Sequence, residues 1–196
     1  MEEKKGIRLG RILYPVTSLG PGERLGIWLQ GCDRRCEGCA NPELQTHEKD
    51  TVPTEMVIGM ARSAIRNYKL SGITVSGGEP LLQAEELLVL LNAIKPLCND
   101  VLLFTGFTME EIQKENNPAV LSLLNCVSVL VDGPYIKEKN KGEILRGSEN
   151  QVIHFLDENL REKYEQYIAK NRHITNTFAA DGGVVAVGIH PEGILR

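Results

Sequence analysis

The chain has 196 residues, of which 42% are hydrophobic, 24% charged and 5% aromatic, and its formal net charge is -4. This length suits one domain, residues 1–196, with a substantial core, and the composition argues against intrinsic disorder. No long basic run is present, so nucleic acid is not an expected partner, and no apolar run reaches the roughly 18–20 residues that cross a membrane. The charged start Met1–Lys5 lacks a following apolar region and does not resemble a signal peptide.

Apolar runs and helical periodicities alternate along the chain. The segment 7–15 predicts a short strand or a hairpin, and apolar runs predict strands at 26–30, 73–75, 101–104, 127–131 and 152–155. Helical spacing predicts helices at 53–68, 84–95 and 159–169. A capping box at 108 starts a further helical region, which the proline at 118 divides in two. We expect the first helix to bury Val57, Met60, Ala61, Ala64, Ile65 and Tyr68, and the second to bury Leu87, Leu88, Leu91 and Ile94.

The order of these elements predicts an α/β fold. Strands that alternate with helices are typical of parallel strands joined by right-handed crossovers. We count about six core strands, and the segments 173–179 and 183–189, joined around Asp181-Gly182-Gly183, predict an extra edge hairpin. The spacing alone allows either an open doubly wound sheet or a partial barrel.

Three of the chain's five cysteines lie in the loop 31–42, directly after the predicted strand 26–30. The spacing of Cys32, Cys36 and Cys39 lets three sulfurs converge from one loop, at the end of a strand where α/β active sites assemble. Three thiolates fall short of the four ligands of a structural zinc site or an ordinary iron–sulfur site. They suit a 4Fe–4S cluster with one iron left open for a small molecule.

Small residues flank the cysteines and favour close approach of the backbone to a cluster. Gly31, Gly38 and Ala40 leave room for backbone amides to donate hydrogen bonds to the sulfides of the cluster. The alternative is a zinc site completed by His47 or Cys98. Zinc loops of this kind usually come as paired two-cysteine units, so the pattern favours the cluster.

The remaining cysteines and the single tryptophan are expected to be structural. Cys98 and Cys126 lie beside apolar segments and are predicted to be buried and inert, and Trp28 is predicted to lie in the core. An odd number of cysteines, three of them clustered, is typical of metal chemistry in the cytoplasm rather than of disulfide bonds. We therefore expect a cytoplasmic protein.

Glycine-rich turns follow three of the predicted strands. Gly77-Gly78-Glu79-Pro80 exposes backbone groups beside a carboxylate, which suits an ammonium ligand, although such a turn also serves simply to connect a strand and a helix. Thr105-Gly106 and Asp132-Gly133-Pro134 are expected to line the same mouth as the cysteine loop, although Asp-Gly-Pro is also an ordinary turn.

Taken in order, these stretches resemble the radical S-adenosylmethionine (SAM) superfamily. The C-x3-C-x2-C loop is followed by the motif stretches 76–80, 104–107, 131–135 and 145–151, an order similar to that of the glycyl-radical activating-protein branch. The resemblance runs from about residue 26 to residue 151. Most of the superfamily has an aromatic residue before the third cysteine, whereas the activating branch often has glycine, as here at Gly38. The tail 152–196 is longer than the shortest activating proteins carry.

The resemblance implies an incomplete (β/α)6-type barrel, a partial TIM barrel that is open on one side. It also implies that Cys32, Cys36 and Cys39 bind the cluster and that no catalytic side chain acts beyond the cluster and SAM. The residues expected to bind the cofactors are Gly38, Ala40, Ser76, Gly77, Gly78, Glu79, Pro80, Thr105, Asp132, Gly133, Arg146, Ser148 and His190.

Individual roles for these residues also follow from the resemblance. Asp132 would meet the ribose hydroxyls or the methionine end of SAM. Arg146 would pair with the SAM carboxylate or with a partner's surface, and the alternative for the stretch that contains Arg146 and Ser148 is a solvated loop. His190 would contact adenine or methionine, and the alternative is an incidental histidine near the chain end.

The activity that the resemblance implies is radical chemistry. A reduced cluster would cleave SAM to methionine and a 5′-deoxyadenosyl radical, which in this branch takes a hydrogen atom from one glycine of a partner such as anaerobic ribonucleotide reductase. A flavodoxin or ferredoxin is the expected low-potential electron donor. Two alternatives stay open: a radical SAM enzyme that modifies a peptide or small molecule, and an iron–sulfur protein for electron transfer or redox sensing.

Overall fold

The structure is a computed structural model that describes residues 6–48, 50–170, 172–180 and 183–190. Three features discussed from the sequence, the start Met1–Lys5, the turn residues Asp181-Gly182 and the end of the tail, 191–196, lie outside the described residues. The strands are β1 (Gly6–Ile7), β2 (Leu9–Val16), β3 (Arg24–Leu29), β4 (Val52–Pro53), β5 (Gly72–Gly77), β6 (Val101–Phe104), β7 (Val129–Asp132), β8 (Val152–Phe155), β9 (Asn176–Ala180) and β10 (Gly183–Val187). The α-helices are α1 (Thr54–Tyr68), α2 (Ala84–Ile94), α3 (Met109–Glu115), α4 (Pro118–Leu124) and α5 (Arg161–Ala169).

Six strands form a central sheet in the order β2-β3-β5-β6-β7-β8. The four inner strands are parallel, whereas β2 and β8, at the two edges, are antiparallel to their neighbours. The expectation of parallel strands is therefore right for the inner four and wrong for the edges. A parallel neighbour needs a crossover of a dozen or more residues, usually helical, and the bend from 17 to 23 that joins β2 to β3 is too short for one. The fold is mixed α/β with a mainly parallel sheet.

One face of the sheet packs against α1, α2 and α4. Its core includes Leu25, Ile27 and Leu29 of β3, all fully buried. The predicted buried faces of the helices are correct except at their margins. On α1, Ile58 is buried instead of Met60 and Tyr68, which are 41% and 53% exposed. On α2, Leu90 is buried and the predicted Leu88 is partly buried.

The two exposed α1 residues have simple physical explanations. Met60 lies at the edge of the apolar stripe, outside the set of buried α1 residues. Tyr68 is the last residue of α1, and its ring packs edge-on against Tyr14 of β2, with ring centroids 4.8 Å apart.

No described helix is both long and apolar enough to cross a membrane.

The opposite face of the sheet is covered by α5 and the β9–β10 hairpin. Tyr164 of α5 is fully buried against Leu102, Val129 and Val131. Trp28, predicted to lie in the core, is 3% exposed and belongs to a cluster that includes Val187 of the hairpin. The two strands of the predicted hairpin do pair, Val187 with Asn176 and Gly183 with Ala180. They form a separate two-stranded sheet, however, and do not extend an edge of the central sheet as the sequence predicts.

A buried ion pair joins the amino ends of β3, β5 and β6. Arg24 and Asp100 are 0% and 2% exposed, and Arg24 Nη2 lies 3.0 Å from Asp100 Oδ1. Arg24 also donates to Thr74 Oγ1 at 2.7 Å, and Asp100 accepts from Tyr164 Oη and Lys163 Nζ, each at 2.6 Å. Burial alone would raise the pKa of Asp100, but the charge of Arg24 and these hydrogen bonds outweigh burial and hold that pKa below its usual value.

The hairpin is fastened to the bend between β2 and β3 by one side chain. Asn176 Oδ1 accepts hydrogen bonds from the amides of Thr17 and Ser18 at 2.9 and 3.0 Å, and its Nδ2 donates to Thr17 Oγ1 at 3.1 Å. Ser18 Oγ in turn donates to the Val187 carbonyl at 2.9 Å. Both strands of the hairpin are therefore bonded to the same bend.

We predict that Asp100→Asn lowers the free energy of unfolding of the metal-free protein by about 3–5 kcal/mol near neutral pH, because it leaves the buried Arg24 charge without its counter-ion. Since the folded-state pKa of Asp100 is lowered, its contribution is present above the unfolded value of 3.8 and is lost as the pH falls through the lowered pKa. The difference between wild type and variant should therefore shrink in acid, which denaturant titrations at both pH values would measure.

The matched control for this variant is Glu158→Gln, which breaks an ion pair with Arg161 at the protein surface. It should leave the free energy of unfolding nearly unchanged. An Asp100→Asn protein as stable as wild type near neutral pH, or a difference that stays constant in acid, would contradict the assignment.

We predict that Asn176→Ala speeds hydrogen exchange of the β9 and β10 amides about tenfold, because the partly buried amides of Thr17 and Ser18 lose their acceptor, at a typical cost of about 1–3 kcal/mol. Thr177→Ala, at the neighbouring exposed position, is the control and should leave exchange unchanged. Equal protection of the hairpin in both variants would show that Asn176 does not fasten it.

Candidate functional site

The cysteine loop leaves the carboxyl end of β3, as the sequence predicts. Cys32 is 9% exposed, and its amide donates to the Gln45 carbonyl at 3.1 Å. Cys36 and Cys39 are partly buried, and the Cys39 amide donates to the Cys36 carbonyl at 3.3 Å. Burial raises the pKa of the Cys32 thiol, and the nearby carboxylate of Glu79 and thiol of Cys39 add to the rise. The Cys32 and Cys39 thiols are thus near enough to interact electrostatically.

The Gly77-Gly78-Glu79-Pro80 turn packs directly against this loop. The Gly78 amide donates to the Leu29 carbonyl and the Glu79 amide to the Gly31 carbonyl, both at 2.8 Å, so the pairing of β3 with β5 continues into the two loops. A Cβ atom at Gly78 would lie 2.3 Å from the Gly31 carbonyl oxygen, and Gly77 has a φ of +115°. Both glycines are thus required by backbone packing, whatever the turn binds.

The Glu79 side chain is 1% exposed and bonds within the protein. Its Oε1 accepts from the Leu81 amide at 3.0 Å and from Thr105 Oγ1 at 2.7 Å, and its Oε2 accepts from the Gly106 amide at 2.7 Å. Burial raises the pKa of Glu79, and these hydrogen bonds oppose that rise. The carboxylate therefore joins the turn after β5 to the turn after β6. Ser76 and Pro80 flank the glycines, partly buried and buried respectively.

The Asp132-Gly133 turn lies at the carboxyl end of β7, beside the turn after β6. Asp132 is 4% exposed, and its carboxylate accepts from the amides of Met109 at 2.6 Å and Val152 at 3.2 Å. His154 Nε2 lies 3.1 Å from Asp132 Oδ2 without hydrogen-bond geometry. The Gly133 amide donates to the Phe107 carbonyl at 2.9 Å, which links the turns after β6 and β7.

The stretch 145–151 folds onto the Asp132-Gly133 turn through its polar side chains. Ser148 is fully buried, and its Oγ accepts from the Ile136 amide at 3.1 Å. Arg146 pairs with Glu143 at 2.9 Å and donates to the Gln151 carbonyl at 3.2 Å. This arrangement favours a structured loop over the solvated loop that the sequence left open.

His190 reaches the neighbourhood of the cysteine loop through Asn140. The His190 carbonyl accepts from Asn140 Nδ2 at 3.1 Å, and the same nitrogen lies 3.2 Å from Tyr135 Oη. A Cβ atom at Gly38 would lie 3.5 Å from the Tyr135 ring, and Gly38 has a φ of +72°. The His190 ring bonds Thr175 Oγ1 at 2.8 Å rather than any residue of the cysteine loop. Ala40 is exposed at the end of the three-cysteine motif.

The loop has the chemistry and the surroundings that a cluster requires. Three free thiols leave one strand end, and the adjoining Gly77-Gly78 turn brings backbone into direct contact with the start of the loop. Among the described residues, no three His, Cys, Asp or Glu side chains are grouped closely enough to hold one metal ion. Cysteine thiolates are the ligands that iron–sulfur clusters take, so the chemistry of these donors suits a cluster.

The zinc alternative is not favoured by the positions of its proposed fourth ligands. Cys98 is buried beside Asp100 and Arg24, at the amino ends of the strands, whereas the cysteine loop lies at their carboxyl ends. His47 lies beside the loop, but its Nε2 is 2.8 Å from Asp33 Oδ1. Cys98 therefore cannot complete a site on the loop.

Sequence reasoning missed Arg34, which lies between the first two cysteines. Its guanidinium forms two hydrogen bonds with the Glu111 carboxylate, at 3.1 and 2.8 Å, across 77 residues of chain. The only local signal was the capping box of Thr108 and Glu111, which is confirmed and fixes Glu111 at the start of α3. Nothing in the sequence indicates that Glu111 also reaches the cysteine loop.

Comparison with known proteins gives one consistent family. The model of the 4Fe-4S single cluster domain matches residues 18–154. The anaerobic ribonucleoside-triphosphate reductase-activating protein of Salmonella typhi is 34% identical over 152 residues, which cover 73% of this chain and 96% of that protein. The protein of the same name from Vibrio cholerae is 35% identical over 150 residues, which cover 72% and 94%.

A shorter similarity extends to another activating enzyme. The pyruvate formate-lyase-activating enzyme of Streptococcus mutans is 35% identical over 80 residues, which cover 39% of this chain and 30% of that enzyme. The family model ends within β8, so α5 and the hairpin lie beyond it. Since the model covers most of the chain and the relatives are matched over nearly their whole length, the chain belongs to the radical SAM family of anaerobic ribonucleoside-triphosphate reductase-activating proteins.

Proposed function

We propose that this protein is a radical SAM activating enzyme that generates a glycyl radical on a partner enzyme such as an anaerobic ribonucleotide reductase. The observation that carries the proposal is the direct bonding of the three-cysteine loop to the Gly77–Pro80 turn through the Gly31 carbonyl. This contact puts a cluster-binding loop and a candidate SAM-binding turn side by side at the carboxyl ends of β3 and β5. The relatives named as activating proteins, which are matched over 96% and 94% of their own length, support this reading.

In this proposal Cys32, Cys36 and Cys39 ligate the 4Fe–4S cluster as thiolates. Gly38 and Ala40 keep the third cysteine accessible to it, since neither carries a side chain larger than a methyl group. A cluster held there would provide the one-electron reduction that splits SAM into methionine and a 5′-deoxyadenosyl radical, and that radical would take a hydrogen atom from glycine. The protein's part is to bind and orient SAM and to exclude water from the radical.

The SAM ammonium group would meet backbone groups of the stretch Ser76–Pro80. The Glu79 carboxylate already accepts three hydrogen bonds from protein donors, so we assign it to shaping this turn rather than to binding the ligand directly. Thr105 acts with it, because its hydroxyl is one of those donors. Asp132 and Gly133 would shape the opposite side of the candidate site in the same way, because the Asp132 carboxylate accepts hydrogen bonds from two backbone amides.

The remaining assignments concern the rim of the site. Ser148 would support the turn that carries Asp132, and Arg146, partly exposed, is the residue of this stretch available to a carboxylate of SAM or of a partner. His190 would border the adenine or methionine end of SAM through the Asn140–Tyr135 contact.

We further propose that the sheet is an incomplete barrel of the (β/α)6 type, with the opening serving as the entrance for the partner's glycine loop. The antiparallel strands β2 and β8 form the two edges of the sheet, which supports an open arrangement. A low-potential flavodoxin or ferredoxin would supply the electron. Reduced thiols and a reducing donor are typical of the cytoplasm, where we expect the protein to act.

The decisive experiment is anaerobic. We expect the protein, reconstituted with iron and sulfide and then reduced, to convert SAM to 5′-deoxyadenosine and to raise a glycyl radical signal on an added anaerobic ribonucleotide reductase. Cys36→Ala should reduce both products to background, because a cluster ligand is lost. Cys126→Ala is the matched control, since Cys126 is a buried thiol bonded to Asn92 and should keep both activities.

Other outcomes separate the alternatives. Formation of 5′-deoxyadenosine without a glycyl radical on any candidate reductase would favour modification of a peptide or small molecule. A loaded, reducible cluster that leaves SAM intact even with the partner present would contradict the proposal and favour electron transfer or redox sensing.

We predict that Glu79→Gln lowers the free energy of unfolding by about 1–3 kcal/mol and raises the KM for SAM, because the amide NH2 would face a backbone or hydroxyl donor in a buried site. The control Glu86→Gln changes a carboxylate on α2 that accepts a hydrogen bond from Thr54 Oγ1. It should leave the KM unchanged. Wild-type stability and KM in Glu79→Gln would show that the turn does not depend on this carboxylate.

A further inference from the structure

The cysteine loop is attached to the protein first at Gly31. The Gly31 amide donates to the Leu44 carbonyl and the Gly31 carbonyl accepts from the Glu79 amide, both at 2.8 Å. These bonds fix the backbone just before Cys32. They leave open what positions the segment between the first two cysteines, which carries polar side chains on the outside of the loop.

Arg34 supplies a second attachment within that segment. Its two terminal nitrogens donate to the two oxygens of Glu111, at 3.1 and 2.8 Å, and its guanidinium carbon lies 4.1 Å from the centroid of the Phe107 ring. A planar guanidinium suits both contacts at once, because its fork matches a carboxylate and its face stacks on an aromatic ring. We call Arg34, Phe107 and Glu111 the arginine clamp.

The receiving side of the arginine clamp is itself held in place. Glu111 Oε2 also accepts from the Thr108 amide at 2.7 Å in the capping box of α3. The Gly106 amide, one residue before Phe107, donates to Glu79 Oε2 at 2.7 Å. Glu79 therefore anchors both attachments of the loop, one through its amide and the other through its carboxylate.

Close packing supports the same arrangement. A Cβ atom at Gly106 would lie 3.0 Å from Arg34 Cγ, so the stem of the arginine lies directly on the turn after β6. The side chains of Arg34 and Glu111 are 24% and 46% exposed, whereas those of the Arg24–Asp100 pair are 0% and 3% exposed. A half-exposed pair contributes little to global stability, so its effect should be local.

We propose that Arg34 is a positioning residue, which holds the segment between Cys32 and Cys36 against the turn after β6 and so fixes how these two thiols are presented. The identity of the group that the thiols bind rests on the proposed function. The arginine clamp itself is a property of the polypeptide, so it can be tested in the metal-free protein.

The test uses the alkylation rates of individual thiols in the metal-free protein, followed by mass spectrometry. Cys32 is 9% exposed, so iodoacetamide reaches it only when the loop opens. Cys126, 6% exposed and remote in sequence from the loop, is the reference thiol in the same molecule. We expect Arg34→Ala and Glu111→Gln each to raise the ratio of the Cys32 rate to the Cys126 rate about tenfold.

The two variants together separate positioning from simple electrostatics. Removing the positive charge of Arg34 would disfavour the Cys32 thiolate, and removing the negative charge of Glu111 would favour it. An electrostatic effect alone would therefore move the alkylation rate in opposite directions, whereas loss of the clamp raises it in both. Glutamine also suits the third position of a capping box, so Glu111→Gln leaves the start of α3 intact.

The matched control is Arg161→Ala. Arg161 makes the same kind of contact, a forked pair with Glu158 and a guanidinium 4.4 Å from the Phe155 ring, in a part of the chain that the family model does not cover. It should leave the Cys32 ratio at the wild-type value. Arg34→Lys, which keeps the charge but loses the fork, should give an intermediate ratio and serves if Arg34→Ala does not fold.

A second readout uses the reconstituted protein. Iron should pass to a chelator faster from Arg34→Ala and Glu111→Gln than from wild type or Arg161→Ala, and the double variant should be no faster than either single variant. Wild-type alkylation ratios in both clamp variants, or equal acceleration at Cys126, would overturn the proposal. Failure of the wild type to cleave SAM would instead overturn the proposed function and leave the alkylation result standing.

Discussion

The buried carboxylate and amide of Glu79 connect three loops that are far apart in sequence. Glu79 belongs to the glycine-rich turn after β5, and its amide donates a hydrogen bond to the Gly31 carbonyl at the start of the cysteine loop. Its carboxylate oxygens accept hydrogen bonds from Thr105 and Gly106 in the turn after β6. A carboxylate that is removed from water must find such donors, or its charge would be too costly to bury. The need of the buried Glu79 carboxylate for hydrogen-bond donors therefore also holds the loops of the candidate site together.

The two ends of the central sheet carry different kinds of polar interaction. At the amino ends, Arg24 and Asp100 form a closed network with Tyr164, in which burial raises the pKa of the tyrosine hydroxyl and keeps it a donor. At the carboxyl ends, the thiols and turns leave backbone groups and sulfurs near the surface. The buried ion pair thus lies at the amino ends of the strands and the candidate site at their carboxyl ends, where the active sites of α/β proteins generally lie.

Much of this architecture could be predicted from the sequence, because strands, helices and caps depend on local pattern. The capping box of Thr108 and the interruption at Pro118 are examples in which neighbouring residues decide the outcome. Pairing across long stretches of chain leaves no such pattern. The contacts of Arg24 with Asp100 and of Arg34 with Glu111 join residues 76 and 77 positions apart, and either arginine could have been read as an ordinary charged surface residue.

The candidate site likewise has features that local sequence motifs predict and features that depend on long-range contacts. Clustered cysteines and glycine-rich turns are visible as motifs, so their positions at the strand ends could be expected. The hydrogen bonds that Glu79 and Asp132 accept from the protein could not be predicted, because a motif indicates which residues lie close together and not which of their atoms are already bonded. The antiparallel direction of β2 and β8 escaped for a similar reason, since an apolar run predicts a strand without its direction.

The bonding of Asn176 to Thr17 also has a consequence for how the chain matures. These residues are separated by 159 positions, and the cluster around Trp28 is completed only when Val187 packs against it. During synthesis, Trp28 and its apolar neighbours on β2 and β3 stay exposed to solvent until the hairpin has left the ribosome. Contacts between segments so distant in the chain form slowly. The nascent protein therefore presents an apolar face that a chaperone would recognise, and this face is covered once the hairpin packs against it.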